Sequence, residues 1–135
     1  MDGRKNVAWG FIALALFMAA GFFLGYMHDL APDKDAWIAQ YAAGRHFELR
    51  LAHVHGSLFG LINVAVGLAL MKLALPAAQA NAISWLALAG ILMPIGIVGH
   101  VLLGVPPFLV LLGGLSMIAA TLWIGLAALK LTRAA

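Results

Sequence analysis

Residues 51–71 read LAHVHGSLFGLINVAVGLALM and contain no formally charged side chain. A helix of this length rises far enough to cross the roughly 30 Å hydrocarbon core of a bilayer. Three further stretches are equally free of charge, and they are residues 7–27, 82–105 and 108–129. None of the four alternates with the two-residue period of a transmembrane strand. The sequence therefore predicts an all-α, four-transmembrane-helix bundle with spans at about 7–27, 46–72, 82–104 and 108–130.

The composition is that of a small membrane protein. Of the 135 residues, 64% are hydrophobic and 10% are charged, whereas about a quarter of the residues in a typical globular domain are charged. The chain is predicted to be one domain, residues 1–135, and is too short for a transporter of two inverted halves. The absence of cysteine excludes disulfides, thiolate metal sites and cysteine nucleophiles. Because the net charge is only +3 and no basic stripe is present, we expect no nucleic-acid partner.

The distribution of basic residues predicts the orientation in the bilayer. An even number of spans places both termini on one side, together with the connection between the second and third spans. The basic residues on that side are Arg4, Lys5, Lys72, Lys130 and Arg133. The opposite side carries loop 28–45 with three aspartates, although Arg45 and Arg50 on its flank run against the trend. Because Lys and Arg accumulate on cytoplasmic flanks, we expect antiparallel spans with cytoplasmic termini in the cell inner membrane.

The first span could be read either as a signal peptide or as a transmembrane helix. Arg4 and Lys5 precede the first span as in a signal peptide, but its apolar run exceeds the usual length of roughly 7–15 residues. We therefore expect this segment to be retained as a helix.

In the outer loop, Trp37 and Tyr41 are four residues apart, which predicts that they share one face of a short interfacial helix.

Three histidines are predicted to lie at a similar depth inside the membrane. His53 and His55 are near the start of the second span, and His100 is near the end of the third, which runs the opposite way. Ionisable residues within spans are costly and are functional candidates by default. Helical spacing places His53 on one stripe with Ser57 and Gly60, whereas His55 points nearly opposite. The small residues on that stripe leave room beside His53 for a bulky planar ligand.

These histidines have three interpretations. A haem iron takes an imidazole as axial ligand, and a bundle core is a usual place for it. His53 is then the preferred ligand, with His55 or His100 as an alternative or second ligand. In the second interpretation a bare copper or zinc ion is bound, with Met27 or Met93 as the nearby soft ligand. In the third, the histidines only form hydrogen bonds between helices.

Further polar and helix-breaking residues complete the candidate site. Arg50 lies about one turn before His53, where its guanidinium would pair with a haem propionate. Asn63 is a further candidate in the second span, and an interhelical hydrogen bond is its favoured interpretation. Pro94 predicts a kink in the third span that widens a pocket beside His100.

Small residues predict close helix contacts, whereas familiar enzyme motifs are missing. The pairs Gly21-xxx-Gly25 and Gly56-xxx-Gly60 allow helices to approach closely, within the chain or between subunits of a homo-oligomer. The sequence has no nucleophile elbow, HExxH motif or phosphate-binding loop, and its acidic residues avoid the spans. No catalytic side chain is therefore predicted, and any chemistry must come from a cofactor.

The stretch 50–63, RLAHVHGSLFGLIN, resembles the start of the second helix in styrene oxide isomerases. Residues 96–100, GIVGH, are similar to a pattern in the third helix of that family, and residues 128–133, ALKLTR, resemble its tail. The resemblance runs from about residue 9 to the end. It implies a four-helix membrane enzyme that assembles as a trimer, holds haem b and converts an aryl epoxide to an aldehyde. The family's haem-ligating histidine, seven residues before a glycine, matches His53 before Gly60.

The chain also departs from the family. Phe59 stands where the family has Asn, Val101 stands where it has a Tyr near the substrate, and Trp9 and Gly10 stand where it has a histidine. Haem binding therefore carries over better than epoxide chemistry. We expect a haem-b membrane protein of this type, acting on a small apolar epoxide. The alternatives are a bis-histidine electron-transfer or gas-binding cytochrome, and a non-enzymatic membrane subunit without a cofactor.

Overall fold

The computed structural model describes residues 3–134, with side chains described to residue 131. Six helices follow one another: α1 (Arg4–Asp29), α2 (Lys34–Ile38), α3 (Arg45–Lys72), α4 (Ala77–Gly90), α5 (Leu92–Leu103) and α6 (Phe108–Ala134). No strand occurs in this part of the chain. Four segments are long and apolar enough to cross a membrane: Arg4–Asp29, Arg45–Lys72, Ala77–Leu103 and Phe108–Leu131. The all-α class and the number of candidate spans are confirmed.

The third predicted span consists of two helices, α4 and α5, which are separated at Ile91. Pro94 explains the interruption, because it has no N–H for the carbonyl of Gly90 and its ring collides with the preceding turn. Gly113 of α6 packs against the break. A Cβ on Gly113 would meet the backbone nitrogen of Met93 and would lie 2.9 Å from the Gly90 carbonyl oxygen. The structure thus interrupts the third span near Pro94, where the sequence predicts a kink.

Glycines let α1 and α3 approach until their backbones touch. A Cβ on Gly60 would lie 2.8 Å from the backbone nitrogen of Leu14 and 2.9 Å from the carbonyl oxygen of Gly10. A Cβ on Gly56 would overlap the ring of Phe17. Later residues of α1 contact earlier residues of α3, since Gly10 meets Gly60 whereas Phe17 meets Gly56. The close contact predicted for Gly56 and Gly60 is thus formed within the chain, and small residues are what such contacts between apolar helices require.

The second glycine pair behaves differently. Gly21 lies against the ring of His53, whose Cε1 atom would be 2.8 Å from a Cβ on Gly21. A Cβ on Gly25 would have nothing within 4 Å in the described part of the chain. Gly21 therefore packs against the side chain of His53, whereas Gly25 faces open space.

A buried group of three polar side chains joins α1, α3 and α4. Asn6 Nδ2 donates to Asn63 Oδ1 at 3.1 Å and to the Ser84 carbonyl at 3.0 Å, while the Ser84 hydroxyl donates to Asn6 Oδ1 at 2.5 Å. Asn63 Nδ2 donates to the carbonyls of Ala87 at 2.8 Å and Phe59 at 3.0 Å. Asn6 and Asn63 are both fully buried. The interhelical hydrogen bond expected for Asn63 is present.

The apolar core lies beside this polar group. It is formed by Val66, Leu70, Ala80, Ile83, Ala87 and Ala120, from α3, α4 and α6. Large apolar side chains also cover the outside of the bundle, and Phe22 and Leu103 are 84% and 80% exposed. Outer surfaces of this kind are stable in hydrocarbon and unfavourable in water.

The short helix expected in the outer loop is present as α2, but its aromatic residues are arranged differently. Tyr41 lies beyond the end of α2 at Ile38, so the expectation that Trp37 and Tyr41 share one helical face is wrong. Trp37 is buried and its ring stacks on His46 with centroids 4.6 Å apart, whereas Tyr41 is 51% exposed. Packing against the start of α3 thus decided the position of Trp37.

Replacement of Asn63 by alanine should destabilise the bundle. It removes one of the two acceptors of Asn6 Nδ2 and takes the side-chain donor away from the buried Ala87 carbonyl. An unmatched buried polar group costs about 1–3 kcal/mol, so we expect the free energy of unfolding to fall by roughly that amount. The measurement is equilibrium unfolding in mixed micelles.

The matched control is Thr121→Ala. The Thr121 hydroxyl bonds only to the carbonyls of Met117 and Ile118 in its own helix. We expect this variant to lose less than about 0.5 kcal/mol, as for an ordinary substitution outside a network. Equal losses in the two variants would contradict the structural role of the polar group.

Candidate functional site

The described structure separates the three membrane histidines into two places. His53 lies at the contact of α3 with α1 and lines a cavity of about 430 Å³. His55 and His100 line a different groove, of about 360 Å³, between α3, α5 and the start of α6. The structure therefore brings His55 and His100 to one surface and leaves His53 apart from both.

The cavity at His53 is mainly apolar and lies between α1, α2, α3 and α5. Its lining residues are Phe17, Ala20, Phe23, Leu24, Met27, Asp33, Ala36, Trp37, Gln40, Arg45, Leu49, Ala52, His53, Val98 and Leu102. The size and the apolar character suit a small-molecule or cofactor site. Its polar groups other than His53 come from the α1–α3 connection and the start of α3, and they are Asp33, Gln40 and Arg45.

One hydrogen bond determines the chemistry of the His53 ring. Its Nδ1 atom lies 2.6 Å from the carbonyl oxygen of Phe17 on α1. A carbonyl oxygen only accepts, so Nδ1 carries the hydrogen and donates it, and Nε2 keeps a lone pair. Metal-ligating histidines commonly have this arrangement, because the donated hydrogen orients the ring and raises the basicity of the other nitrogen.

The ring position also depends on Gly21 of α1. A Cβ on Gly21 would lie 2.8 Å from Cε1 of His53 and 3.4 Å from Nε2. The missing side chain therefore leaves the space that the imidazole occupies. His53 also lines a shallow outer groove along α1, beside Met18, Gly21 and Tyr26.

The cavity is closed on one side by α2, which is held by His46. The imidazole of His46 is 2% exposed, and its Nδ1 donates to the Trp37 carbonyl at 3.0 Å. Tyr41 packs edge-on against the same ring with centroids 5.3 Å apart. Trp37 itself lines the cavity, and its Nε1–H has no partner among the described residues.

Arg50 lies elsewhere than the haem interpretation expects. Its guanidinium carbon is 3.7 Å from the centroid of the Tyr41 ring, and Nη1 donates to the Tyr41 carbonyl at 3.4 Å. The arginine that lines the cavity is Arg45, five residues earlier on α3. Sequence reasoning noted Arg45 only as a charge on the outer flank, and its position at the start of α3 became informative once α2 was seen to pack there.

Gly60 and Asn63, which the sequence also singled out, take part in contacts between helices. Gly60 contacts the α1 backbone, and Asn63 donates both amide hydrogens to backbone carbonyls. The Ser57 hydroxyl is buried and has no hydrogen-bond partner in the described region. Asn6, which bonds to Asn63, and Ser84, which bonds to Asn6, were not singled out from the sequence, although each is a polar residue in a predicted or adjoining apolar segment.

The other histidine groove is lined by groups from three helices: Glu48, Leu51, His55, Met93, Ile97, His100, Pro107 and Val110. His55 Nδ1 donates to the Leu51 carbonyl at 2.9 Å, and its ring packs edge-on against Phe59. His100 Nδ1 donates to the Val105 carbonyl at 2.9 Å. The glycine at 104, with φ of 68°, makes the turn that brings the Val105 carbonyl back to His100.

The described residues contain no group of three His, Asp or Glu side chains arranged to hold a metal ion. A haem needs fewer protein ligands, because the porphyrin supplies four nitrogens and the protein one or two axial groups. The Nε2 atom of His53 beside an apolar cavity fits that smaller requirement.

Comparison of the chain with protein-family models, curated proteins and solved structures found no match. The resemblance to styrene oxide isomerases therefore rests on the residues quoted above.

Substitution of Gly21 by alanine should disturb His53 selectively. The added methyl group would collide with the ring, which must move away from the Phe17 carbonyl. We expect ¹⁵N NMR of the wild type to show the Nδ1–H tautomer for His53, His55 and His100. In Gly21→Ala only the His53 resonances should change substantially.

Gly25→Ala serves as the control, because a Cβ there meets nothing within 4 Å. It is expected to leave all the imidazole resonances in place. An Nε2–H tautomer for His53 in the wild type would overturn the proposed availability of its Nε2 lone pair.

Proposed function

We propose that this chain is an integral membrane protein that binds haem b with His53 as axial ligand. The single observation that carries the proposal is the His53 ring beside the 430 Å³ apolar cavity, with Nδ1 bound to the Phe17 carbonyl and Nε2 without a protein partner in the described region. The space left by Gly21 supports it. Ligand residues are usually held in this way by a hydrogen bond from the second ring nitrogen.

The other cavity residues have complementary roles in the proposal. Arg45 and Gln40 would donate hydrogen bonds to the carboxylates of the cofactor. Arg45 lies about 12 Å along α3 from His53. Arg50 is bound to Tyr41, so Arg45 replaces it as the proposed propionate partner. Phe17 and Phe23 form apolar walls that exclude water.

The proposed activity is isomerisation of a small apolar epoxide to a carbonyl compound. When bound, ferric haem supplies a Lewis acid that polarises an epoxide oxygen. The apolar lining favours a substrate that partitions into the bilayer, and His53 would hold the iron. Among the described lining residues His53 is the one histidine, which favours this activity over a bis-histidine cytochrome.

We further propose that the four spans are antiparallel in the cell inner membrane and that both termini are cytoplasmic. The order of contacts between α1 and α3 supports opposite directions for these two helices. We also propose a homo-oligomer, for which the resemblance implies a trimer, and native mass measurement counts the copies.

The orientation can be tested with single cysteines, because the chain has none. We expect Ala42→Cys to react with a membrane-impermeant maleimide in intact spheroplasts. Ala78→Cys should react only after the membrane is opened, since the start of α4 is proposed to be cytoplasmic. The reverse pattern would contradict the orientation.

His53→Ala should lose haem, because no other imidazole lines the cavity among the described residues. The measurements are the Soret band and pyridine haemochrome per protein chain, together with conversion of an aryl epoxide to an aldehyde. We expect less than about a tenth of the wild-type haem content and no conversion.

His55→Ala and His100→Ala are the matched controls and should retain haem. Haem loss in either control, with retention in His53→Ala, would transfer the ligand role to the other groove. A wild-type protein that binds haem but leaves the epoxide unchanged would favour the gas-binding or electron-transfer alternative. A native protein without haem would favour the non-enzymatic subunit.

A further inference from the structure

The groove between α3 and α5 contains polar groups that the proposed function does not use. On α3, Glu48, Leu51 and His55 follow the i, i+3, i+7 spacing of one helical face. On α5, Met93, Ile97 and His100 follow the i, i+4, i+7 spacing. Two helical faces, each with one histidine, thus meet at one groove, which is separate from the cavity at His53.

The hydrogen-bonding character of both imidazoles is determined by their backbone partners. His55 Nδ1 donates to the Leu51 carbonyl and His100 Nδ1 donates to the Val105 carbonyl, both at 2.9 Å. In the neutral rings both Nε2 atoms are therefore acceptors. Glu48 adds a carboxylate, which when ionised also only accepts.

The remaining walls restrict the class of ligand further. Leu51, Ile97, Pro107 and Val110 are apolar, and Met93 offers a soft, adaptable surface. His100 is exposed at the surface of the bundle, so the groove is open to the surroundings of α5. A complementary ligand has an apolar body and at least two hydroxyl donors.

We propose that this groove binds a lipid-soluble hydroquinone. The two phenolic hydroxyls would donate to His55 Nε2 and His100 Nε2, or to one of these and Glu48. The oxidised quinone carries carbonyl acceptors, which would face the lone pairs of the groove. The structure therefore predicts that the reduced form binds in preference to the oxidised form, and the prediction does not depend on haem at His53.

The test uses the full-length protein in lipid nanodiscs and three ligands of matched shape: a decyl-substituted benzoquinol, its quinone and its dimethyl ether. Binding is measured by displacement of a fluorescent quinol analogue under anaerobic conditions. Two neutral hydrogen bonds correspond to about a tenfold change in affinity, so the quinol should bind about tenfold more tightly than either other ligand. Equal affinities would show partition into an apolar surface and would overturn the proposal.

Variants locate the site. His55→Phe and His100→Phe keep a planar ring and remove the acceptor, and each should reduce the preference for the quinol about threefold or more. His28→Phe is the control, because His28 lies at the end of α1 and bonds to Asp29 outside the groove. An unchanged preference in the His55→Phe, His100→Phe double variant would place binding elsewhere.

Two further measurements keep the result independent of folding and of the proposed function. If a phenylalanine variant fails to fold, the affinities of the wild type for the three ligands still show whether the binding site prefers hydroxyl donors. Haem content is measured in parallel, and His53→Ala should keep its preference for the quinol. Loss of that preference in His53→Ala, with normal folding, would place the quinol in the haem cavity and contradict the separate groove.

Discussion

The backbone contact between α1 and α3 is the constraint on which the rest of the structure depends. Apolar helices in lipid gain little from the hydrophobic effect when they associate, so close packing and hydrogen bonds must hold them together. Gly10, Gly56 and Gly60 allow that packing. The close contact of α1 with α3 also brings the Phe17 carbonyl oxygen within 2.6 Å of His53 Nδ1. This hydrogen bond fixes the orientation of the imidazole, which is a candidate ligand.

The polar group of Asn6, Asn63 and Ser84 gives this contact a unique register. The carbonyls and side chains in the group must all find partners, because unpaired polar groups are costly in an apolar interior. Rotation or translation of α1 by one residue would break the contacts between Asn6 and both α3 and α4. The group therefore contributes both stability and the alignment that positions Gly21 against His53.

The two-residue spacing of His53 and His55 places them in different surroundings. Residues two apart on a helix are rotated by about 200°, so one ring faces α1 and the other faces α5. His100 then joins His55, and the cavity at His53 is left with a single imidazole among its described lining residues. Each ring donates Nδ1–H to a backbone carbonyl and keeps Nε2 available. The arrangement suits two separate ligands better than one ligand held between two histidines.

Local sequence determined the helical class, the four candidate spans and the interruption near Pro94, because the length of an uncharged stretch and the missing N–H of proline act locally. Helical periodicity also separated His53 from His55. The packing of the helices decided the remaining neighbours. It placed His55 and His100 at one groove, Arg45 rather than Arg50 at the cavity, and Asn63 beside Asn6. No local pattern encodes these neighbours, since they are far apart in the chain and meet only when glycines and buried hydrogen bonds select one packing of the helices.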